Sequence, residues 1–220
     1  MTGKETWKNV KSTFGSGSLS LGPRFTYKAM HTPRQLLFHY SRYKFAARLI
    51  GETPGVNILE LGCSEGLHTL LLAEGSHKVT AVDFDDEAIK WAKANIKNDN
   101  VTFIAEDFLG KVYGEFDAVV SIDVVEHVSP EKESLYFHTI TGNLKQDGYC
   151  IVGTPNITAS QYASEQSKTG HVNLFSAERL RDTVNKYFRN VFIFGMNDEV
   201  VHTGFYAMSH YLFALGCYKR

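Results

Sequence analysis

Short runs rich in β-branched and aromatic residues recur at 56–61, 79–83, 101–105, 116–122, 149–154 and 191–195, and helical apolar spacing fills most of the gaps, as at 87–96, 130–144 and 177–188. A strand, a helix and another strand in this rhythm require crossover connections, and crossovers place neighbouring strands parallel, with helices covering both faces of the sheet. A final run at 205–218 follows the sixth strand after a loop with no room for a helix, so it is expected to return antiparallel as a seventh strand. Ser129-Pro130 and Ser176 have the chemistry of helix N-caps. With 220 residues and 43% hydrophobic content the chain can bury the core of one such α/β domain.

The N-terminal part reads differently. Lys4, Lys8, Lys11, Arg24, Lys28, Arg34, Arg42, Lys44 and Arg48 fall within the first 48 residues, where Glu5 is the sole acid, although the net charge of the whole is -1. Gly15, Gly17 and their serines read as a flexible stretch, and Pro33 opens a helix over 32–50 with a broad apolar face. Two units are therefore expected: a basic arm and helix over 1–50 that caps a substrate, and a body over 51–220. Nucleic acid is disfavoured as a partner, because the domain as a whole is not basic and the basic residues are not interleaved with a base-reading motif. The N-terminus is polar and no apolar run approaches the ~20 residues of a membrane span. Cys63, Cys150 and Cys217 stand far apart without C-x-x-C pairing, which fits a reduced, cytoplasmic setting.

In a parallel sheet ligands lie beyond the carboxyl ends of the strands. The first such loop reads Glu60-Leu61-Gly62-Cys63-Ser64-Glu65-Gly66. Glycines here let a backbone approach a ligand, but two carboxylates flank them and would repel a pyrophosphate, and no Gly-Lys-Ser/Thr follows. A phosphate-free, cationic nucleoside fits better, and S-adenosylmethionine is one. Asp83, ending the second strand, can accept from both ribose hydroxyls, with Phe84 covering the adenine face; Asp107, after the third, can accept from the adenine amino group, with Phe108 as an apolar wall.

The stretches ILELGCSEG, VTAVDF, FIAEDF, FDAVVSIDVVEHV and LKQDGYCIVGTPN, in that order over about 56–156, resemble the successive motifs of class I S-adenosylmethionine-dependent methyltransferases, and the DVVEHV segment is most similar to small-molecule O-methyltransferases of the 3-demethylubiquinone type. The resemblance implies a Rossmann-like, seven-stranded, mostly parallel sheet with an antiparallel last strand. It also implies a cofactor set of Glu60, Gly62, Cys63, Ser64, Gly66, Asp83, Phe84, Asp107, Phe108 and Asp123. Ser64 departs from the pattern, since the family usually carries a third glycine there.

Methyl transfer needs an aligned acceptor and a means of removing its proton, a task that suits histidine near neutral pH. His127, His171 and His202 each follow a different strand and are expected on the ligand rim as candidate bases. A divalent metal held by His171, His202 and a carboxylate such as Glu199 or Asp123 is the other expectation. The flanks at 31–49 and 154–180 resemble bacterial methyltransferases associated with surface-polysaccharide assembly. That implies a small-molecule acceptor, a sugar hydroxyl on a phosphate-bearing carrier, met by Arg34, Arg42, Lys44 and Asn156. A non-catalytic cofactor-binding subunit, an N-methyltransferase and a nicotinamide oxidoreductase remain alternatives.

Overall fold

The computed structural model describes residues 2–15 and 18–220; Ser16 and Gly17, within the stretch expected to be flexible, lie outside these described residues. Among the described residues eight α-helices are defined: α1 (Gly3–Ser12), α2 (Pro23–His31), α3 (Pro33–Ile50), α4 (Thr69–Leu72), α5 (Asp86–Asn95), α6 (Glu133–Gly142), α7 (Glu165–Gly170) and α8 (Ala177–Asn185). The strands are β1 (Asn57–Leu61), β2 (Lys78–Asp83), β3 (Val101–Ala105), β4 (Phe116–Ile122), β5 (Leu144–Pro155), β6 (Phe188–Asn197), β7 (Val200–His202) and β8 (Tyr211–Lys219). They form one sheet in the order β3-β2-β1-β4-β5-β8-β6-β7.

β1 to β5 are parallel, with Ile58 level with Val79 on one side and Ala118 on the other, while β8 runs antiparallel between β5 and β6. The expected α/β class and antiparallel last strand are thus present, but the sheet has eight strands where seven were expected. The additional strand arises because the loop after β6 folds straight back: Asp198 takes a left-handed φ of +52° and β7 pairs with β6 as a short hairpin. Asp tolerates that conformation better than most residues, so a tight turn forms without glycine.

The central strands read as near-continuous apolar runs because both faces are covered. One face is closed by α6 and α8, which bring Phe137, Ile140, Leu180 and Val184 against Leu59, Leu61 and Val119. The other is closed by α3 and α5, with Tyr43, Ala46, Ile50, Ile89 and Ala92 against Ile58, Ala81 and Val120. α3 is therefore part of the core of the body as well as a segment of the N-terminal unit.

One of the two expected helix starts is moved. Ser176 caps α8, its Oγ accepting from Arg179 N at 3.2 Å, but Ser129 makes no such cap; Pro130 opens a 3-10 turn (Pro130–Lys132), and α6 begins only at Glu133. Ser176→Ala is expected to lower stability by ~1 kcal/mol in chemical denaturation, the usual value of a lost N-cap. The helix after the first glycine turn is also short: α4 ends at Leu72, followed by a 3-10 turn in which Gly75 has φ +70°.

Candidate functional site

The strand order reverses direction between β1 and β4, so the loops after these two strands face each other across the crevice where open α/β sheets bind ligands. They touch: Gly62 has φ +87°, and a Cβ there would lie 2.2 Å from Val124 Cγ2, so only glycine fits. Gly62 N and Cys63 N both donate to Val82 O, which ties the turn to the end of β2. Ser64 takes the left-handed conformation of the missing glycine, φ +50°, and its N donates to Asp83 Oδ2 at 2.7 Å. Asp85 N donates to Asp83 Oδ1 at 2.9 Å, so both carboxylate oxygens are oriented by backbone donors. Gly66 has φ +72° and packs so closely on the Phe103 ring that a side chain is excluded.

Glu60 lies at the base of this turn, 1% exposed, with its Oε2 accepting from Thr69 Oγ1 at 2.6 Å. Burial outweighs that hydrogen bond and pushes its carboxyl up to about 7. The Cys63 thiol is raised well above its ordinary value, by burial first and by Glu60 next. Further out, Asp107 is exposed and accepts from Leu109 N, Phe84 is 76% exposed, and Phe108 is buried in the core beside Tyr136.

Over the turn lies α2. Glu65, itself buried, accepts from Arg24 N at 2.8 Å and Phe25 N at 3.2 Å, so its carboxylate caps the N-terminus of α2. The Phe25 ring is buried edge-on against His68, and Arg24 donates to Ser64 Oγ. The space left between Gly62, Ser64, Asp123, Lys28 and His68 is about 30 Å³, room for no more than a water or two. The donors and the positive charge of Arg24 and Lys28 against these carboxylates are what a cationic nucleoside would replace.

Asp123 ends β4 with φ +59°. Arg42 of α3 donates to both of its oxygens, at 2.8 and 2.7 Å, and the guanidinium lies 4.0 Å from the centroid of the Tyr211 ring. His39 Nδ1 donates to Asp123 Oδ2 at 3.1 Å, while Lys28 Nζ donates to His39 Nε2. Against its own desolvation, the Arg42 charge holds the Asp123 carboxyl well below the ordinary range. Burial lowers Lys28 to about 8 and His68 to about 3, and shifts His39 below its ordinary value. Arg42 is thus committed to Asp123, whereas Arg34 and Lys44 are exposed on α3. Sequence reasoning missed Lys28, His39 and His68; the i, i+3 pair His39 and Arg42 on the helix was the available signal.

The histidines separate. His127, in the 3-10 turn Val125–His127, and His171, just after α7, meet edge to face with ring centroids 5.0 Å apart. His202 lies on edge strand β7, at 3.3 Å from Ser209 Oγ and against Gly195. The β6-β7 hairpin turns it into the sheet edge, so neither His202 nor Glu199 joins His171, nor is Asp123 in that cluster: among the described residues the metal-competent group is Glu126, His127 and His171, not the set expected. A second cavity of about 380 Å³ opens beside His171, beyond β5, with mostly apolar walls from Phe38, Ala159, Tyr162, Ala163 and Leu174. Asn156, 2% exposed, also borders it, but its Nδ2 donates to Tyr206 O and Ser209 O and its Oδ1 accepts from Thr158 N.

A family profile described as a methyltransferase domain matches residues 58–148. A ubiquinone biosynthesis O-methyltransferase of Caulobacter sp. (strain K31) is 30% identical over 152 residues, covering 64% of this chain and 60% of the relative. The chain spans between 26% and 60% of the length of curated relatives it matches. Among solved structures, the Haloferax volcanii Trm112 methyltransferase activator complex with a putative methyltransferase aligns with a TM-score of 0.69 at 15% identity, over 91% of this chain and 100% of the other. A plantazolicin methyltransferase in complex with S-adenosylhomocysteine aligns with a TM-score of 0.65 at 13% identity, over 90% and 89%. The glycine turn and the acidic strand ends lie within or beside the stretch that this profile matches, so residues 58–148 resemble a methyltransferase domain, on a fold shared with solved methyltransferases.

Proposed function

We propose that the protein transfers a methyl group from S-adenosylmethionine to a hydroxyl of a small acceptor with an apolar body. The observation that carries this reading is that the protein has both acidic side chains around the glycine turn at the β1/β4 crevice and, beyond β5, an apolar cavity of about 380 Å³ bordered by His171. Glu60, Gly62, Ser64 and Gly66 would hold the methionine end, Asp83 the ribose, and Asp107 with Phe84 the adenine; Cys63 and Phe108 would support the walls. When bound, the cofactor supplies an electrophilic methyl carbon.

In a direct displacement the acceptor oxygen would take that methyl group, leaving the electrons of the carbon–sulfur bond with sulfur, and the hydroxyl proton would have to leave. His171 borders the apolar cavity and the His127 ring meets that of His171 edge to face, so the proton departs in their neighbourhood; much of the rate comes from alignment in the cavity. Its hydrocarbon and aromatic walls favour a flat or apolar acceptor over a nucleotide-linked sugar, for which Arg34 and Lys44 remain outlying and Arg42 is committed to Asp123. The resemblance to a ubiquinone biosynthesis O-methyltransferase supports an oxygen nucleophile.

The test is calorimetric titration with S-adenosylhomocysteine and with NAD, followed by turnover of hydroxylated aromatic acceptors and of nucleotide sugars with labelled cofactor. Binding of S-adenosylhomocysteine alone, with label appearing in an aromatic acceptor, is expected. Binding of NAD, or binding without transfer to any hydroxyl, would overturn the reading.

A further inference from the structure

Beside the apolar cavity, three side chains converge that a methyl donor and a hydrocarbon acceptor do not by themselves require. Glu126, His127 and His171 each offer one ligand atom, and these atoms all lie within 4.8 Å of one another. Oxygen and nitrogen ligands held at the usual bond lengths on opposite sides of one first-row cation stand up to about 4.2 Å apart, so a small side-chain rotation closes the set. Two independent features point to an ion. Glu126 is 0% exposed; its Oε2 accepts from Thr154 Oγ1 at 3.0 Å, but its Oε1 is buried with no hydrogen-bond partner. An orphaned buried carboxylate oxygen is costly unless something cationic meets it.

The second feature is the orientation of His127. Its Nδ1 donates to Gly170 O at 2.9 Å, which fixes the tautomer and leaves the Nε2 lone pair free, the arrangement that metal-ligating imidazoles adopt. The backbone reinforces it from the other side, because Glu126 O accepts from Val172 N at 2.8 Å and from Asn173 N at 3.1 Å. The turn carrying Glu126 and His127 and the loop carrying His171 are therefore clasped together by three hydrogen bonds, so the three candidate ligands keep their relative positions without the ion.

We propose that Glu126, His127 and His171 bind one first-row divalent transition cation, with the remaining coordination positions open toward the apolar cavity. Two imidazoles and one carboxylate with open positions suit manganese, iron, cobalt or zinc, and the absence of thiolate from the set argues against a softer ion. The role of the ion rests on the methyl-transfer reading above: bound to the acceptor oxygen, it lowers the pKa of the hydroxyl, whose proton passes to solvent before the oxygen attacks the methyl carbon.

Binding is tested first without cofactor, so that it stands apart from activity. Full-length protein stripped with chelator is titrated with Co(II), followed by visible absorption and calorimetry. One ion per chain is expected, with an absorption of nitrogen and oxygen ligation and no sulfur-to-metal charge-transfer band. His127→Ala and His171→Ala should each weaken binding at least about tenfold; Glu126→Gln, which preserves volume, should do the same, and His138→Ala on α6 should not. Failure to bind below millimolar Co(II), or binding indifferent to all three substitutions, overturns the site. With Mn(II) or Zn(II) restored, turnover should rise at least tenfold over stripped protein. Transfer at an unchanged rate in stripped protein overturns the role of the ion while the methyltransferase reading stands; an ion bound in a protein that takes up no S-adenosylhomocysteine leaves the site and sinks that reading instead.

Discussion

Arg42→Ala is expected to lower the stability of the protein by about 3–5 kcal/mol, because it strands the Asp123 carboxylate in a largely buried position without its partner. The loss has three parts: both hydrogen bonds to Asp123, the cation–π contact with Tyr211, and the desolvation of a carboxylate that His39 alone cannot balance. In a chain of 220 residues this corresponds to a fall in Tm on the order of 10 °C. The double variant Arg42→Met with Asp123→Asn should lose less than Arg42→Ala alone: it removes both charges, and asparagine keeps the left-handed backbone that Asp123 adopts. A loss under about 1 kcal/mol with a raised acceptor KM would instead return Arg42 to the phosphate-binding role that its place in a basic segment suggested.

The second large effect is a pH dependence written into Glu60. Its carboxyl is raised from the ordinary 4.5 to about 7 in the folded protein, by burial. Between those values the unfolded chain has released a proton that the native state keeps, so stability falls as pH rises through this window and is flat below it. The total is about 3 kcal/mol by pH 8, taking 1.36 kcal/mol per pH unit. Other buried groups titrate too, so the measurement is the difference between wild type and Glu60→Gln in urea denaturation from pH 4 to pH 8. The variant should gain on the wild type across that range, by about 3 kcal/mol at the alkaline end. A difference that does not change with pH would mean that Glu60 is ionised in the fold throughout. The same substitution should weaken S-adenosylhomocysteine at pH 8, where the ionised carboxylate would face the ammonium group of the ligand.

Much of this architecture was legible from the chain alone, and the reasons differ by element. The parallel sheet followed from apolar runs alternating with helical spacing, a pattern that few topologies satisfy. The glycine turn and Asp83 were legible because they sit at strand ends, where parallel topology dictates the rim. β7 was not, since three residues in a hairpin leave no periodicity to read. The three histidines could not be sorted for a related reason: whether His202 faces the rim or the sheet edge depends on how the loop after β6 turns, which a single left-handed Asp198 decides. Nor could the fate of Arg42 be read. A cation on a helix looks free until the helix is docked, and it is the tertiary approach of α3 to β4 that binds it to Asp123. The ligand role given to Asp123 fails on the same contact, whereas Glu126, which had drawn no notice among its apolar neighbours in DVVEHV, lies beside His127 and His171.

The cap that Glu65 provides for α2 has a kinetic consequence. Because the bolt belongs to the doorframe, a nucleoside reaches Gly62 only after the Glu65 hydrogen bonds to Arg24 N and Phe25 N have parted and the Phe25 ring has left its niche. The expected result is that Glu65→Gln, which weakens those two hydrogen bonds, speeds the association of S-adenosylhomocysteine in stopped flow; an unchanged rate would show that this nine-residue helix does not gate the crevice.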